Sequence, residues 1–485
     1  MLRFILILAL LFILSHNNCI SQETKNDIYY ISSSEGNDYN SGTKKKPLRS
    51  IASLTRDKKK NVIVRLKCGD VFYENIRGFT DCVIESYGNG TKPVICGFRI
   101  LKNTDAWMSD GDRLWKLDMS KDSNFVGFPI ELATDKKRFT DVGCMYNTLN
   151  DSIFGHIVYS KKQLKVDGDI YLSEKYKNEE INEETFKYFT LKYSRHPSNL
   201  RNVCFSVYEN GVSEMENCII RNIAVVGFGR HGMCRLNGCT VQNCDIDIIG
   251  GSIQTNTPKW VRYGNGIEFW ITKTPIGNST VSGCVISRTY DCGSTIQGSR
   301  KDVGSPCRIH FTGNKFFRCR QAFEHFLNSS NTEPEYIDCE FTGNVAYMMG
   351  DNGFNSPERR DADILSYENK VRNLKITGNE FFGGNYYCGH QLPEGMANNK
   401  VYIFKGQYLV HYPGSKDFPT IYAEDDNSVK EYHEKWGDNS EIIIIDRGSK
   451  YEIKIRRDFE NKIGYKLYDL KIQQLLKESE DTDSK

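Results

Sequence analysis

Cys339-Glu-Phe-Thr-Gly-Asn344 is one copy of a short phrase that occurs six times between Asn217 and Phe381. The other copies are Cys218-Ile-Ile-Arg-Asn-Ile223, Cys239-Thr-Val-Gln-Asn-Cys244, Cys284-Val-Ile-Ser-Arg-Thr289, Ile309-His-Phe-Thr-Gly-Asn314 and Leu374-Lys-Ile-Thr-Gly-Asn379. Apolar residues recur at every second place, which indicates strand and not helix. The starts are 21 to 45 residues apart. A strand and a turn repeated in this way predict the coils of a parallel β-helix, an all-β solenoid in which each coil buries its apolar face against its neighbours.

Length and charge exclude some classes of function. A solenoid grows by adding coils, so 485 residues fit one elongated domain. The 64 basic and 62 acidic residues give a formal net charge of +2, which argues against a nucleic-acid groove and gives no long-range field for an acidic polymer. An anionic ligand therefore needs a local patch. The 27 tyrosines either stack inside the coils or face outward, where aromatic rings can stack on sugars.

The N-terminus predicts export. Arg3 precedes an unbroken apolar run from Phe4 to Leu14, which suits a secretory signal and is too short for a mature membrane span. A signal peptide over residues 1–21 would leave a secreted, periplasmic or surface protein with no integral membrane span. Asn17-Asn18 is a poor lipobox before Cys19, so we do not expect a lipid anchor.

Fifteen of the 16 cysteines follow that signal. An odd number in an exported protein would normally indicate disulfides and one spare thiol. The repeat favours another interpretation, in which Cys218, Cys239, Cys284 and Cys339 form one inward column of free thiols that pack as small hydrophobic groups. Cys234, Cys239 and Cys244 lack the spacing and the histidine pair of a closed zinc site.

The mature N-terminus carries a more specific signal. The stretch Tyr29-Tyr-Ile-Ser-Ser-Ser-Glu-Gly-Asn-Asp-Tyr-Asn-Ser-Gly-Thr-Lys-Lys-Lys-Pro-Leu48 resembles the opening of many exported bacterial right-handed parallel β-helix proteins of the pectate-lyase-like superfamily. This resemblance implies a right-handed parallel β-helix with an N-terminal cap, and it implies no particular reaction. Within the charge-rich residues 124–197, the stretch from Gln163 to Leu172 resembles a β-hairpin insertion of some such proteins.

We therefore divide the chain into five parts. They are the signal peptide (1–21), the N-terminal cap and first coils (22–123), a β-rich insertion (124–197), the main β-helix (198–412), and a C-terminal capping segment with a charged tail (413–485). In the last part, Glu441 to Asp446 predicts a strand, and the spacing of leucines predicts a helix between Tyr465 and Glu478.

A second strand accompanies several copies of the phrase. Alternation in Ile267-Glu-Phe-Trp270, Ser294-Thr-Ile-Gln297 and Phe323-Glu-His-Phe326 places Glu268, Thr295 and Glu324 outward in one file. Trp270, Gln297 and Phe326 form a parallel file beside them. The stretches containing these residues also resemble phrases of the same superfamily, but no catalytic role is carried over from that likeness.

The two glutamates suit glycoside hydrolysis. Coils lie about 4.8 Å apart, so carboxylates separated by one coil stand about 9 to 10 Å apart. Inverting glycosidases use separations of about 6.5 to 9.5 Å, with one acid and one base. We therefore predict Glu268 and Glu324 as catalytic and the file of Trp270, Gln297 and Phe326 as substrate-binding. Alternatively, both glutamates are solvated residues of an outer face.

Other residues support a lyase instead. A lyase needs a cation to bind a uronate or a base to abstract a proton, and the arginines at the turns offer one: Arg230, Arg262, Arg288, Arg318 and Arg320. We predict Arg288 and His325 as further catalytic candidates, although alternation places His325 inward, where it would be a core histidine. Arg262, Tyr263 and His231 are predicted to bind substrate. Asp291 is a candidate only if residues 290–292 form a turn.

Asp245 and Asp247 share an outward face about 7 Å apart and could hold Ca²⁺, as acidic pairs do in pectate lyases. Their alternative role is to cap turns. No cofactor besides this possible Ca²⁺ is expected. The sequence thus predicts an extracytoplasmic protein that cleaves a polysaccharide, with paired carboxylates favouring a hydrolase. A polysaccharide lyase and a non-catalytic glycan-binding surface protein remain open. The sequence names neither the sugar nor an oligomeric state.

Overall fold

The computed structural model describes residues 27–102, 106–118, 142–158, 160–171, 188–197, 200, 203–207, 209–252, 254, 261–274, 276–354, 362–367, 373–389, 395–411 and 420–464. In these residues the chain winds through three ten-stranded sheets, here called sheets I, II and III, and successive coils visit them in that order. The strands are parallel within each sheet, except that the last strand of sheet III is antiparallel. The predicted all-β parallel β-helix is confirmed. The signal peptide and the helix predicted between Tyr465 and Glu478 lie outside the described residues.

Alternating burial marks strands of the three sheets such as Val62–Lys67 and Gly277–Ser282. Sheet I consists of Asp27–Ile31, Val62–Lys67, Val83–Tyr87, Ile219–Arg221, Thr240–Gln242, Gly277–Ser282, Cys307–Thr312, Cys339–Thr342, Leu374–Thr377 and Gly395–Ala397. Sheet II consists of Val71–Phe72, Val94–Cys96, Ala224–Val226, Asp245–Ile249, Val285–Thr289, Lys315–Phe317, Val345–Tyr347, Glu380–Phe382, Lys400–Phe404 and Glu441–Ile445. Sheet III consists of Ile76–Arg77, Val212–Glu216, Met233–Asn237, Ile267–Trp270, Cys292–Arg300, Gln321–Ser329, Ala362–Ser366, Tyr386–Gly389, Tyr408–His411 and Ile421–Tyr422.

An asparagine ladder fixes the corner between sheets I and II. Its rungs are Asn314, Asn344, Asn379 and Asn399. At each step the backbone N–H of one asparagine donates to Oδ1 of the next at 2.8 to 3.0 Å. Gly343, before the second rung, has a φ of 63°, a left-handed conformation that glycine adopts without strain. The Thr-Gly-Asn ending of the phrase thus satisfies buried backbone donors at the corner.

The thiols form two columns and not one. Cys218, Cys239 and Cys339 are buried at the corner that enters sheet I, as predicted. Cys284 is also buried, but it precedes a sheet II strand and its thiol contacts Cys244. The phrase before a sheet I strand and the phrase before a sheet II strand have similar residues, so the sequence alone assigns their cysteines to one column. All 15 cysteines of the described residues are free thiols.

The β-rich insertion extends beyond residues 124–197 on both sides. One of its sheets contains Phe98–Ile100, Val142–Asn147, Ser152–Phe154 and Val203–Val207, and the other contains Trp107–Ser109, Leu114–Asp118, His156–Val158, Asp169–Tyr171 and Tyr188–Lys192. Phe98 and Tyr146 of the first sheet pack in one cluster with Val226 and Ile248 of sheet II. The insertion therefore covers part of the outer face of sheet II.

Short helices occur near both ends of the described residues. The 3-10 helices are Ile51–Ser53, Arg56–Lys59 and, in the insertion, Lys161–Gln163. Helix α1 (Asp426–Trp436) begins with a capping box of Asp425 and Ser428, and helix α2 (Lys450–Ile463) begins at a Ser449 cap. Helix α2 packs Phe459 on Phe382 of sheet II. No helix of the described residues combines the length and apolarity of a membrane span.

Candidate active site

Sheet III carries the predicted file of carboxylates. Glu268 pairs with Thr295, which pairs with Glu324 in the next strand. Two strand steps place their Cα atoms about 9.6 Å apart at the usual spacing. Glu268 is 7% and Glu324 is 5% exposed, so neither is freely solvated. The Thr295 hydroxyl between them is buried and has no hydrogen-bond partner among the described residues.

One oxygen of Glu268 is surrounded by donors. Asn265 Nδ2 donates to Oε2 at 2.8 Å, and Gln297 Nε2 donates to the same atom at 2.9 Å. His231 Nε2 lies 3.4 Å from it. Donors on a carboxylate oxygen stabilise the charged form. Within the described part of the chain no group donates to the other oxygen, Oε1. Glu268 is thus oriented by donors on one oxygen, and the described residues leave the other oxygen open to a reacting group.

His231 is oriented by the strand beside it. Its Nδ1 accepts a hydrogen bond from the backbone N–H of Asn265 at 3.3 Å, which assigns the ring proton to Nε2, on the side of Glu268. Burial lowers the pKa of His231, the negative charge of Glu268 acts in the opposite sense, and two nearby arginines add to the lowering. His231 is therefore a neutral donor to Glu268 at neutral pH.

Tyr263 packs against His231, and Arg230 packs against Tyr263. The Tyr263 ring meets the His231 ring edge-on at 5.2 Å between centroids. The Arg230 guanidinium lies 4.4 Å above the centre of the Tyr263 ring, a cation–π distance. The structure thus brings the two predicted binding residues, His231 and Tyr263, next to Glu268.

Arg262 has a different place from the one predicted. It is buried and donates to the backbone carbonyls of Gly155 and Ile157 at 3.0 and 3.2 Å. Its guanidinium also lies over the Tyr290 ring at 4.6 Å. Because its planar donors match these carbonyls, Arg262 joins the insertion to the coil and does not bind substrate at the file.

The aromatic file also has the predicted register. Trp270 pairs with Gln297, and Gln297 pairs with Phe326. The Trp270 and Phe326 rings are 6.5 Å apart at 83°, and Tyr367 extends the row at 5.8 Å from Phe326. These half-buried rings form a wall beside the two glutamates. Apolar rings with one open face suit the stacking of sugars.

A third carboxylate belongs to this region. Asp291 lies in the turn between the sheet II and sheet III strands of its coil, which is the condition under which it is a candidate. The adjacent Cys292 thiol donates to Asn265 Oδ1 at 3.1 Å. Burial raises the pKa of Cys292 well above its ordinary value, and the charges of Glu324, Asp291 and Glu268 raise it further. Three carboxylates therefore surround one buried thiol.

His325 lies inside the coil. Its exposure is 0%, and its ring packs between those of Phe323 and Tyr336 at 5.7 and 6.1 Å. The strand alternation that directs Glu324 outward directs His325 inward. Because it does not reach the outer face, we do not retain His325 as a catalytic candidate.

Arg288 is part of a buried ion pair on sheet II. Its Nε donates to Asp247 Oδ1 at 2.8 Å, its Nη2 bonds to Asp247 Oδ2, and its Nη1 bonds to Asp151 of the insertion. Burial alone would lower the pKa of Arg288, but the charge of Asp247 raises it well above its ordinary value. Tyr146 covers the group by donating to Asp151 at 2.6 Å. Arg288 is thus a structural cation under the insertion, away from the glutamate file.

The same contacts replace the predicted calcium site. Asp247 is 0% exposed and already neutralised by Arg288. Asp245 accepts from Lys92 Nζ at 2.7 Å. In the residues that the structure describes, no three His, Cys, Asp or Glu side chains converge as metal ligands. Each aspartate therefore has a cationic side chain where Ca²⁺ was expected.

Sequence reasoning did not predict Asn265 or Tyr367. Asn265 lies three residues before Glu268 and just before the strand Ile267–Trp270, and a polar residue at this place was the available signal. Tyr367 follows the strand Ala362–Ser366. This strand was missed because its five residues, Ala-Asp-Ile-Leu-Ser, show no clear alternation of apolar and polar types.

The chain matches no protein-family model, and no curated protein matches it. Solved structures do match. A GH136 lacto-N-biosidase from Eubacterium ramulus is 15% identical in its selenomethionine form, with a TM-score of 0.43, and the alignment covers 86% of this chain and 68% of that chain. The complex of XylC with xylose is 11% identical, with a TM-score of 0.40, and covers 86% and 82%. Similarities at this level assign no residue a role.

Proposed function

We propose that the protein is an exported glycoside hydrolase that cleaves a polysaccharide on the outer face of sheet III. The observation that carries this proposal is the Glu268 carboxylate, which has three donors around one oxygen and none from the described residues on the other. Glu324 stands two strand steps away in the same file. Trp270 and Phe326 provide a wall on which sugar rings can stack.

The two glutamates take different roles in this proposal. Glu268 serves as the base, because the donors on Oε2 orient its carboxylate and leave Oε1 for a water molecule. Glu324 serves as the acid and gives its proton to the glycosidic oxygen as the bond from the anomeric carbon to that oxygen breaks. A water molecule attacks the anomeric carbon and transfers its proton to Glu268. Two strand steps leave room for this water, which favours inversion at the anomeric carbon.

The direct test uses Glu268→Gln and Glu324→Gln. We expect each variant to release reducing ends at least about a hundredfold more slowly than the parent, the usual contribution of one positioned acid or base. Glu340→Gln is the matched control, because Glu340 lies on sheet I outside the file. Full activity of both site variants on a substrate that the parent cleaves would refute the proposal.

The stereochemistry of the product is a separate test of the distance between Glu268 and Glu324. Proton NMR early in the reaction should show the anomer opposite to that of the substrate. Retention of configuration would require two carboxyl groups about 5 to 5.5 Å apart. It would then favour a pair that includes Asp291.

One observation favours a lyase as the second candidate. Arg230 lies over Tyr263 beside the neutral His231. Both nitrogens of His231 are engaged, so the base in this reaction would be the Glu268 carboxylate, and a guanidinium that binds a uronate near such a base is an arrangement that β-elimination can use. Ultraviolet absorbance separates the two reactions, because only elimination leaves a conjugated double bond. Binding of the glycan without either product would favour the third class, a glycan-binding surface protein.

A further inference from the structure

A cationic cavity lies at the edge of sheet III, on its N-terminal coils. Its volume is about 920 Å³, within the range of ligand pockets. The charged residues that line it are Arg56, Lys59, Lys60, Arg77, Arg235, Glu214 and Glu216. Five cations thus face two carboxylates, in a chain whose formal net charge is only +2.

The internal contacts leave this excess of positive charge in place. Arg77 donates to both oxygens of Glu214 at 2.7 and 2.8 Å, and Arg235 donates to the same carboxylate at 2.9 Å. Two guanidinium groups therefore share one carboxylate. Among the described residues, Arg56 and Lys60 have no ion-pair partner. Burial lowers the pKa of Lys59, and the nearby charge of Arg77 lowers it further, as expected where cations crowd together.

The cavity lies on the same sheet as the glutamate file, a few strand steps from it. Cys234 is the strand partner of Glu268, and Arg235 follows it in the chain. Arg77 is three strand steps from Glu268 along the same sheet, about 14 Å at the usual spacing. A glycan that occupies the file therefore reaches the cavity within a few sugar units.

We propose that this cavity is a subsite for a negatively charged substituent of the glycan, a uronate carboxylate or a sulfate ester, on the N-terminal side of the glutamate file. This inference rests on the proposed function, since it assigns part of the same substrate. The bound anion neutralises the cations that Glu214 leaves unpaired. The near-neutral chain attracts an acidic polymer only weakly over distance, so this local patch selects the substrate.

The test measures binding in a Glu268→Gln background, which prevents turnover. Arg56→Ser/Lys60→Ser removes the two cations without ion-pair partners, and Lys454→Ser/Arg457→Ser on helix α2 is a control with the same change in charge. The probes are three tetrasaccharides of galactose type: unsubstituted, uronate-bearing and sulfated. Calorimetric titrations are run at low and high NaCl concentration.

We expect at least one charged tetrasaccharide to bind about tenfold more tightly than the neutral one, with an affinity that falls as salt rises. The cavity variant should lose this advantage, and the helix variant should keep it. The identity of the charged probe that binds separates carboxylate from sulfate. Equal binding of all three probes, or equal losses in both double variants, would overturn the subsite. If the parent cleaves only a neutral glycan, the subsite is overturned and the hydrolase proposal stands. If a charged tetrasaccharide binds but the parent cleaves none of the glycans, the hydrolase proposal is overturned and the subsite stands.

Discussion

Asp247 and Glu268 occupy comparable places in the coil and have opposite surroundings. Both face outward from a strand of the β-helix. Asp247 lies under the insertion, with both oxygens bonded to Arg288 and one of them also to Ser287 at 2.8 Å. Glu268 lies on sheet III, where the described residues donate to one of its oxygens only. Alternation thus fixes the direction of a side chain, and the neighbouring segment decides whether the side chain reaches a ligand.

The first prediction concerns the ion pair of Arg288 and Asp247 under the insertion, and its expected effect is the largest. Arg288→Met removes the cation but leaves Asp247 buried as an unpaired charge, which should lower the free energy of unfolding by about 3 to 5 kcal/mol. Chemical denaturation measures this change. Arg288→Met/Asp247→Asn should recover most of the loss, because the charge that remains is on Asp151, which is partly exposed and still accepts a hydrogen bond from Tyr146. A single variant as stable as the parent would show that the insertion does not bury this pair.

The second prediction concerns Glu268, the carboxylate that the described residues contact with donors on one oxygen only. Gln297→Ala removes one donor from Glu268 Oε2, so we expect kcat/KM on a cleaved glycan to fall about tenfold, which equals about 1.4 kcal/mol. Thermal stability should change less than activity does, because Asn265 and His231 still contact the same oxygen of Glu268. Ser287→Ala removes the corresponding donor from Asp247 and is the matched control, for which activity should be unchanged. Similar losses of activity in both variants would remove the distinction between the two carboxylates.

The third prediction concerns Asp363, a buried carboxylate on sheet III. Burial raises its pKa well above the ordinary value, so it stays protonated in the native state while the unfolded chain ionises above about pH 3.9. Native stability is therefore full below that pH and decreases as the pH rises toward the native pKa. Asp363→Asn should remove this decrease. Unfolding midpoints at pH 4 and pH 8 measure it, and identical pH profiles for variant and parent would contradict it.

The smallest effect is expected for His231 and concerns the pH dependence of stability. Its pKa is lowered in the native state, so its contribution to stability is present above the unfolded value of about 6.5 and is lost as the pH falls. His231→Gln should lose less stability between pH 7 and pH 5 than the parent. A steeper loss in the variant would mean that the native histidine is charged beside Glu268.

The sequence predicts the coil and the glutamate file because both follow from local periodicity. Glu268, Thr295 and Glu324 needed only alternation and the pairing of three recognisable strands. The partners of Arg288 could not be predicted, since Asp151 is 137 residues away in an insertion with its own sheets. Helix α1 was missed although Asp425-x-x-Ser428 is a capping signal, because the segment lacks a strong apolar stripe. The second thiol column was missed because the two corners use the same residues.

The asparagine ladder makes the length of this molecule adjustable. Each rung bonds to its neighbouring rungs and donates to a backbone carbonyl of the preceding sheet I strand, so a whole coil that ends in Thr-Gly-Asn repeats these interactions at its borders. Duplication of one such coil would lengthen the outer face of sheet III by about 4.8 Å without changing the chemistry of the corner. A gene that encodes this chain can therefore change the length of this outer face in whole steps, through in-frame duplications instead of gradual remodelling.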